Sequence, residues 1–252
     1  MNNYRPSPFA NISPVVKNLL IINGIFYLAT MLFKGNPSIP IVQYLGVYYF
    51  DSPFFKGWQV ITYMFMHSPD NFAHILFNMF ALYSFGSVLE YMMGSKRFLK
   101  FYLITGLGAL ALQYLVQAFE LYQITGAIAH PAGFMIDPAT YRFSYNPQLY
   151  SESQATTIAN IYMGPMLGAS GAIFGLLTAF GLLFPNAELL IFLIPIPVKA
   201  KYLIPVYIVI ELFLGVAQFS GDSVAHFAHL GGALFGFILI KIWKIRRPGG
   251  FI

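Results

Sequence analysis

Cysteine is absent from the 252 residues. That excludes disulfides, a thiol nucleophile and cysteine-ligated zinc. Charge is almost as scarce: Asp, Glu, Lys and Arg together make up 9% of the chain, against about 25% in a soluble domain. Such a chain cannot be solvated all round, and 58% of its residues are hydrophobic. It reads as an integral membrane protein, so the formal net charge of +5 is no nucleic-acid signal. In a membrane protein the location of basic residues matters more than their sum. No internal repeat, soluble domain or cofactor motif is visible.

What is present is a series of apolar segments near the roughly 20 residues that a bilayer core requires. A short polar tail, 1–14, precedes a first span at 15–33. No small-residue cleavage site follows that span, so it reads as a retained anchor. Residues 34–70 are too broken for a span, and 58–67 suit a segment at headgroup depth. Ser68-Pro69-Asp70-Asn71 is a helix-start signal for a second span at 72–93, and a third lies at 98–119. A long polar insertion, 120–160, separates these from a fourth span at 166–184. A proline-rich connector leads to a fifth at 202–219 and a sixth at 224–243, with a basic tail at 244–252. The expected fold is therefore an all-α bundle of six transmembrane helices over 15–243. Eleven Lys and Arg fall on the side of the termini and three on the other, which places both termini in the cytoplasm.

With that topology the second, fourth and sixth spans run in one direction, and each carries polar residues near its start. His74 and Asn78 are spaced i, i+4 on the second span. Ser170 opens the fourth within Gly168-Ala169-Ser170-Gly171, and His226 and His229 open the sixth. At 1.5 Å per residue all lie within about 10 Å of the same membrane face. Singly, each is best read as a hydrogen bond between helices; together at one depth they mark a functional cavity. Gly171 and Gly175 follow the serine, and Gly232 and Gly236 share a face with His229, so two glycine-faced helices can bring a hydroxyl to an imidazole. Periodicity does not choose between His226 and His229. No carboxylate sits at this depth on these three spans, so the simplest catalytic reading is a serine–histidine pair without a third acid. The Ser170 N–H at the helix start, with His74 and Asn78, can supply oxyanion donors.

These residues resemble three motifs of the rhomboid intramembrane serine proteases. Gly168-Ala169-Ser170-Gly171 is similar to the family's GxSG motif, and the run from Ala228 to Gly236 to its last-helix motif, in which a histidine precedes GxxxG. His74-Ile75-Leu76-Phe77-Asn78 is similar to its HxxxN segment. The resemblance implies Ser170 as nucleophile, His229 rather than His226 as base, and an oxyanion hole of His74, Asn78 and the Ser170 backbone, with Gly168 shaping the turn. Two departures stand out. Trp58-Gln59 replaces a frequent Trp-Arg, and Phe174 occupies the position of a tyrosine that stacks on the base.

The implied activity is serine endopeptidase cleavage of membrane-anchored proteins near the outer face, with a substrate transmembrane segment and the lipid bilayer as partners. No cofactor, metal or nucleic acid is expected. The location expected is a bacterial cell membrane. One alternative is a catalytically silent rhomboid-like chaperone or adaptor, which would ordinarily lack the serine or the histidine. Another is a metal-dependent protein using His67, His74, His226 and His229, whose only close pair, His226 and His229, is without a carboxylate partner. Glu90 with Arg97 reads as a tie between the second and third spans. Glu211, inside the fifth, has no assigned role.

Overall fold

Apolar segments in lipid must satisfy their backbone internally, and helices do so within one segment. The computed structural model, which describes residues 12–191, 194–217 and 225–246, is accordingly mostly helical. Most of the expected N-terminal tail (1–11), the end of the fifth span, and the basic tail from 247 onward lie outside the described residues.

Helix α1 (Pro14–Leu32) begins with proline at its first position, where the missing N–H costs nothing. Its N-cap Ser13 makes no side-chain cap. The Glu90 carboxylate caps it instead, accepting from the N–H groups of Val15 and Val16 at 3.0 and 2.9 Å, a favourable place for a negative charge. Glu90 also accepts from Ser95 Oγ at 2.6 Å. This corrects the expected pairing with Arg97, which reaches the Trp243 carbonyl at 2.7 Å and lies over the Trp243 ring.

Two short helices, α2 (Ile41–Leu45) and α3 (Gln59–Thr62), and a 3₁₀ turn (Tyr63–Phe65) follow. Asn71 caps α4 (Phe72–Ala81) through the His74 N–H. A π-helical turn (Leu82–Gly86) joins α4 to α5 (Ser87–Met93), and Gly94, at φ +79°, turns the chain into α6 (Ser95–Thr125). That helix has 31 residues, about 46 Å at 1.5 Å each. It exceeds both the expected 98–119 span and the roughly 30 Å of hydrocarbon.

The polar insertion is not an open loop. Its first residues complete α6, and the remainder folds into an antiparallel hairpin, β1 (Phe134–Asp137) with β2 (Arg142–Tyr145), and helix α7 (Glu152–Met163) with a capping box at Ser151 and Gln154. Leu121, Phe134, Tyr150, Ile158 and Tyr162 form a separate small core with Tyr49 of the first loop. Asp51 latches the two regions together, accepting from Tyr162 Oη at 2.6 Å and the His130 N–H at 2.7 Å.

Helix α8 (Ser170–Leu183) lies at the centre, with ten of its residues buried. The proline-rich connector forms a second antiparallel hairpin, β3 (Glu188–Ile191) with β4 (Ile194–Lys199). The two hairpins correct the all-α expectation. Helices α9 (Ala200–Ala217) and α10 (His226–Ile242) complete the chain; α10 packs on α6 and α8, and α9 on α10 and α8.

Among the described residues, four helices are long and apolar enough to cross a membrane: α1, the run 72–93, α6 and α9. The other two segments read as spans give the shorter apolar helices α8 and α10. The reason at α8 is local. Met166 pairs in extended conformation with Val47, and Gly168, at φ +137°, donates its N–H to the Tyr63 carbonyl at 3.0 Å. The chain therefore enters the bundle extended and turns helical only at Ser170.

Gln59 braces this first loop. It is fully buried, donates from Nε2 to the carbonyls of Gln43 and Phe54, each at 3.2 Å, and accepts from the Lys56 N–H at 2.9 Å. An amide both donates and accepts, whereas a guanidinium only donates. Gln59→Leu strands these backbone groups in the interior, and unpaired buried groups cost about 1–3 kcal/mol each. The variant should lose about 2–3 kcal/mol, measured by denaturant unfolding in detergent.

Candidate active site

As the first residue of α8, Ser170 carries an N–H that no intrahelical carbonyl can meet, at the positive end of the helix dipole. Its Oγ is hydrogen-bonded to His229 Nε2 at 2.8 Å. His229 lies in the first turn of α10 and is held there by close helix packing. A Cβ built on Gly232 would sit 1.8 Å from the Gly171 carbonyl oxygen, and one on Gly236 2.7 Å from that of Gly175. On its other side α8 meets α6, where a Cβ on Gly171 would lie 2.4 Å from Ala109 Cβ. With no side chain between them, α8 and α10 pack backbone to backbone.

The Phe174 ring lies flat on the His229 imidazole, centroids 4.4 Å apart and planes inclined by 7°. It restricts the imidazole to one plane without competing for its nitrogens. His74 comes from α4. A Cβ on Gly168 would lie 3.2 Å from His74 Nε2 and 3.3 Å from Ser170 Oγ, so this glycine leaves a space bordered by both. Asn78 is buried one turn further along. Its Nδ2 donates to the His74 carbonyl at 2.9 Å, which leaves the second of its two amide hydrogens. No hydrogen bond joins Asn78 to Ser170 or His229 among the described residues. Ser170, His229, Phe174, Gly168 and His74 thus converge, with Asn78 behind His74.

His67 packs edge-on against His74 with ring centroids 5.2 Å apart. Burial, and secondarily the neighbouring His74, push the His67 ring down to about 3, so it is neutral at physiological pH. Among the described residues neither of its nitrogens makes a well-formed hydrogen bond.

One member of the cluster has no counterpart in the motifs. Glu211 of α9 is buried, and its Oε2 accepts from His226 Nδ1 at 2.6 Å and from His229 Nδ1 at 2.9 Å. The expectation of a histidine without an acid partner is thereby corrected. The acid comes from the fifth segment, outside the three compared for depth. The signal was in the sequence, because an ionisable residue within an apolar span is costly and marks a functional position. What was missing was the rotation of α9, which aims Glu211 at α10. Glu211, His226 and His229 bring their ligand-type atoms within 4.8 Å of one another and are donors of the kind zinc takes. Both Nδ1 atoms face the same carboxylate oxygen.

Comparison with known proteins gives consistent results. The chain is 29% identical over 209 residues to an uncharacterised mitochondrial rhomboid protein of Schizosaccharomyces pombe, covering 76% of this chain and 53% of that protein. It is 30% identical over 187 residues to the mitochondrial rhomboid protein 1 of Saccharomyces cerevisiae, covering 71% and 40%. It is 29% identical over 196 residues to the rhomboid protease GluP of Bacillus subtilis, covering 78% and 28%. The chain thus spans about half the length, or less, of these relatives. The similarity to mitochondrial proteins overturns the expectation of a bacterial cell membrane, while the membrane character stands. The rhomboid domain profile matches residues 55–245, most of the chain, which therefore belongs to the rhomboid family.

Proposed function

We propose that this protein is an intramembrane serine endopeptidase that cleaves membrane-anchored proteins near the membrane face where α4, α8 and α10 begin. The observation that carries this reading is the 2.8 Å hydrogen bond from Ser170 Oγ to His229 Nε2. It is the nucleophile–base contact that an activated serine requires, in a residue placed at a helix start. The rhomboid protease GluP, among the relatives, supports the reaction class.

In this mechanism Ser170 Oγ attacks the scissile carbonyl carbon as its proton passes to His229 Nε2. Negative charge gathers on the carbonyl oxygen, where the Ser170 N–H, His74 Nε2 and the remaining Asn78 N–H donate. Collapse breaks the C–N bond, and His229 returns the proton to the leaving amine. Water, activated by His229, then hydrolyses the acyl-enzyme. A scissile amide within a helix must first give up its helical hydrogen bonds, so segments with small or helix-breaking residues are the preferred substrates.

Six membrane crossings, with both termini on the face richer in Lys and Arg, are part of this proposal. Four apolar helices, the two shorter ones and the eleven-to-three basic asymmetry support it. The mitochondrial relatives support a mitochondrial membrane as the setting.

The direct test is a serine-directed fluorophosphonate, with cleavage of a single-span substrate measured in reconstituted vesicles. Wild type should label and cleave, and Ser170→Ala should do neither. Cleavage persisting in Ser170→Ala would exclude the mechanism; substrate capture without turnover by wild type would identify a silent binding protein.

A further inference from the structure

The Ser170–His229 contact depends on which nitrogen of the imidazole carries its proton. A neutral imidazole has one N–H, and Nε2 can accept the serine proton only if that hydrogen resides on Nδ1. Glu211 Oε2 lies 2.9 Å from His229 Nδ1. An ionised carboxylate accepts and never donates, so this contact holds His229 in the tautomer that general-base action needs. The same oxygen takes His226 Nδ1 at 2.6 Å.

A carboxylate buried in an apolar segment is expensive unless it is paired and hydrogen-bonded, and α9 otherwise turns large apolar side chains outward: Val206, Val209, Leu212, Phe213 and Val216 are all exposed. Glu211 points inward among them. Gly215, one turn further along α9, lets the helices approach: a Cβ there would be 3.2 Å from His226 Cβ.

We propose that Glu211 is a positioning residue that makes the serine–histidine pair a three-member relay, Ser170–His229–Glu211, with His226 as a second N–H donor that keeps the carboxylate in place. This rests on the proteolytic reading above. The roles are divided by geometry. Glu211 sets the proton on His229 Nδ1 and stabilises the imidazolium formed when Ser170 attacks; Phe174 sets the plane of the ring; His226 prevents the carboxylate from turning away. Fixing this tautomer has a known scale, since the asparagine replacement in a serine protease triad, which leaves the geometry in place, lowers kcat about 10⁴-fold. In Glu211→Gln the amide NH₂ can donate to Nδ1 and drive the proton onto Nε2, where it blocks the serine.

The test uses the full chain in lipid vesicles with a single-span substrate, comparing wild type, Ser170→Ala, Glu211→Gln, Glu211→Asp and His226→Gln. Glu211→Gln should lower kcat by about 10³–10⁴-fold with KM within about threefold, and should slow fluorophosphonate labelling in parallel. Glu211→Asp, which restores the acceptor at shorter reach, should recover at least about tenfold of that loss. His226→Gln keeps an N–H donor and should cost about tenfold, the order expected for one supporting hydrogen bond to a charged group. A purely structural tie between α9 and α10 would instead lower the fraction of folded, labelled enzyme and leave kcat per labelled site unchanged, and that result overturns the proposal.

Nitrogen-15 NMR of histidine-labelled wild type provides a readout independent of any variant's folding, with His229 assigned by its loss in His229→Gln. A proton on Nδ1 of His229 is expected, and a proton on Nε2 overturns the proposal. So does Glu211→Gln turnover within threefold of wild type, or loss of wild-type activity to a metal chelator. Ser170→Ala separates the two levels of inference. If it cleaves as fast as wild type, the proteolytic reading fails. If it is inactive while Glu211→Gln is not, only the role of Glu211 fails.

Discussion

His229→Ala should lower kcat on a membrane-anchored substrate by about 10⁴–10⁶-fold, and combining it with Ser170→Ala should cost no more than either change alone. The first expectation follows from the only base in contact with the serine among the described residues, His229 Nε2 at 2.8 Å; without it Oγ must attack carrying its own proton. The magnitude is that of removing one member of a hydrolytic triad, about 2 × 10⁶ in the most demanding measured case. The second expectation is the sharper one. Ser170 and His229 act as one unit, so once either is gone the other has no function left to lose. Activities of the two single variants and the double variant, normalised to folded protein, test this directly. A double variant slower than both singles by the product of their effects would mean that the two residues work independently, and the proposed chemistry would be wrong.

Gly232→Ala should unfold or separate the α8–α10 pair, with a loss of about 3 kcal/mol or more. The added methyl group would stand 1.8 Å from the Gly171 carbonyl oxygen. A backbone oxygen cannot rotate aside as a side chain can, so the helices themselves must part. Even a part-way accommodation would draw His229 away from Ser170, and activity should fall with stability. Gly24→Ala serves as the contrast. Nothing lies within 4 Å of a Cβ at that position on α1, so the change should be neutral or stabilising by up to about 1 kcal/mol through helix propensity. Denaturation midpoints in matched detergent give both values. Equal stability of the two variants would show that the helices are not packed as closely as described.

The membrane class, the helical segments and the polar residues near the starts of three of them were legible because each is a one-dimensional property. Hydropathy counts apolar length, and a histidine or serine within an apolar run is conspicuous wherever it points. Helix rotation was not legible. In lipid a helix needs no polar face, so the pattern that would separate buried from exposed sides in water is absent. The charge of Glu211 says that it turns inward, but nothing in residues 200–217 says that it meets the histidines of α10. Segment ends are illegible for a related reason. The 166–184 stretch is apolar throughout, yet its first residues are extended, because Met166 pairs with Val47 and Gly168 bonds to Tyr63, partners more than a hundred residues earlier. The insertion at 120–160 reads as polar because prolines and polar residues break up its apolar ones, which bury only by closing on one another and on Tyr49 of the first loop.

By itself, then, the sequence determined that this is a membrane protein of helical segments, that a serine, histidines and an asparagine lie near the starts of three of them, and that glycines flank the serine and one histidine. Tertiary structure alone decided that Glu211 from a fourth segment faces that histidine and that Glu90 caps a helix rather than pairing with Arg97. It also decided that Met166 and Gly168, expected within the fourth span, precede a helix that begins only at Ser170. The physical reason is common to all three. Depth in a membrane follows from counting residues, but which groups meet depends on helix rotation and backbone entry angle, and these are set by contacts between distant parts of the chain.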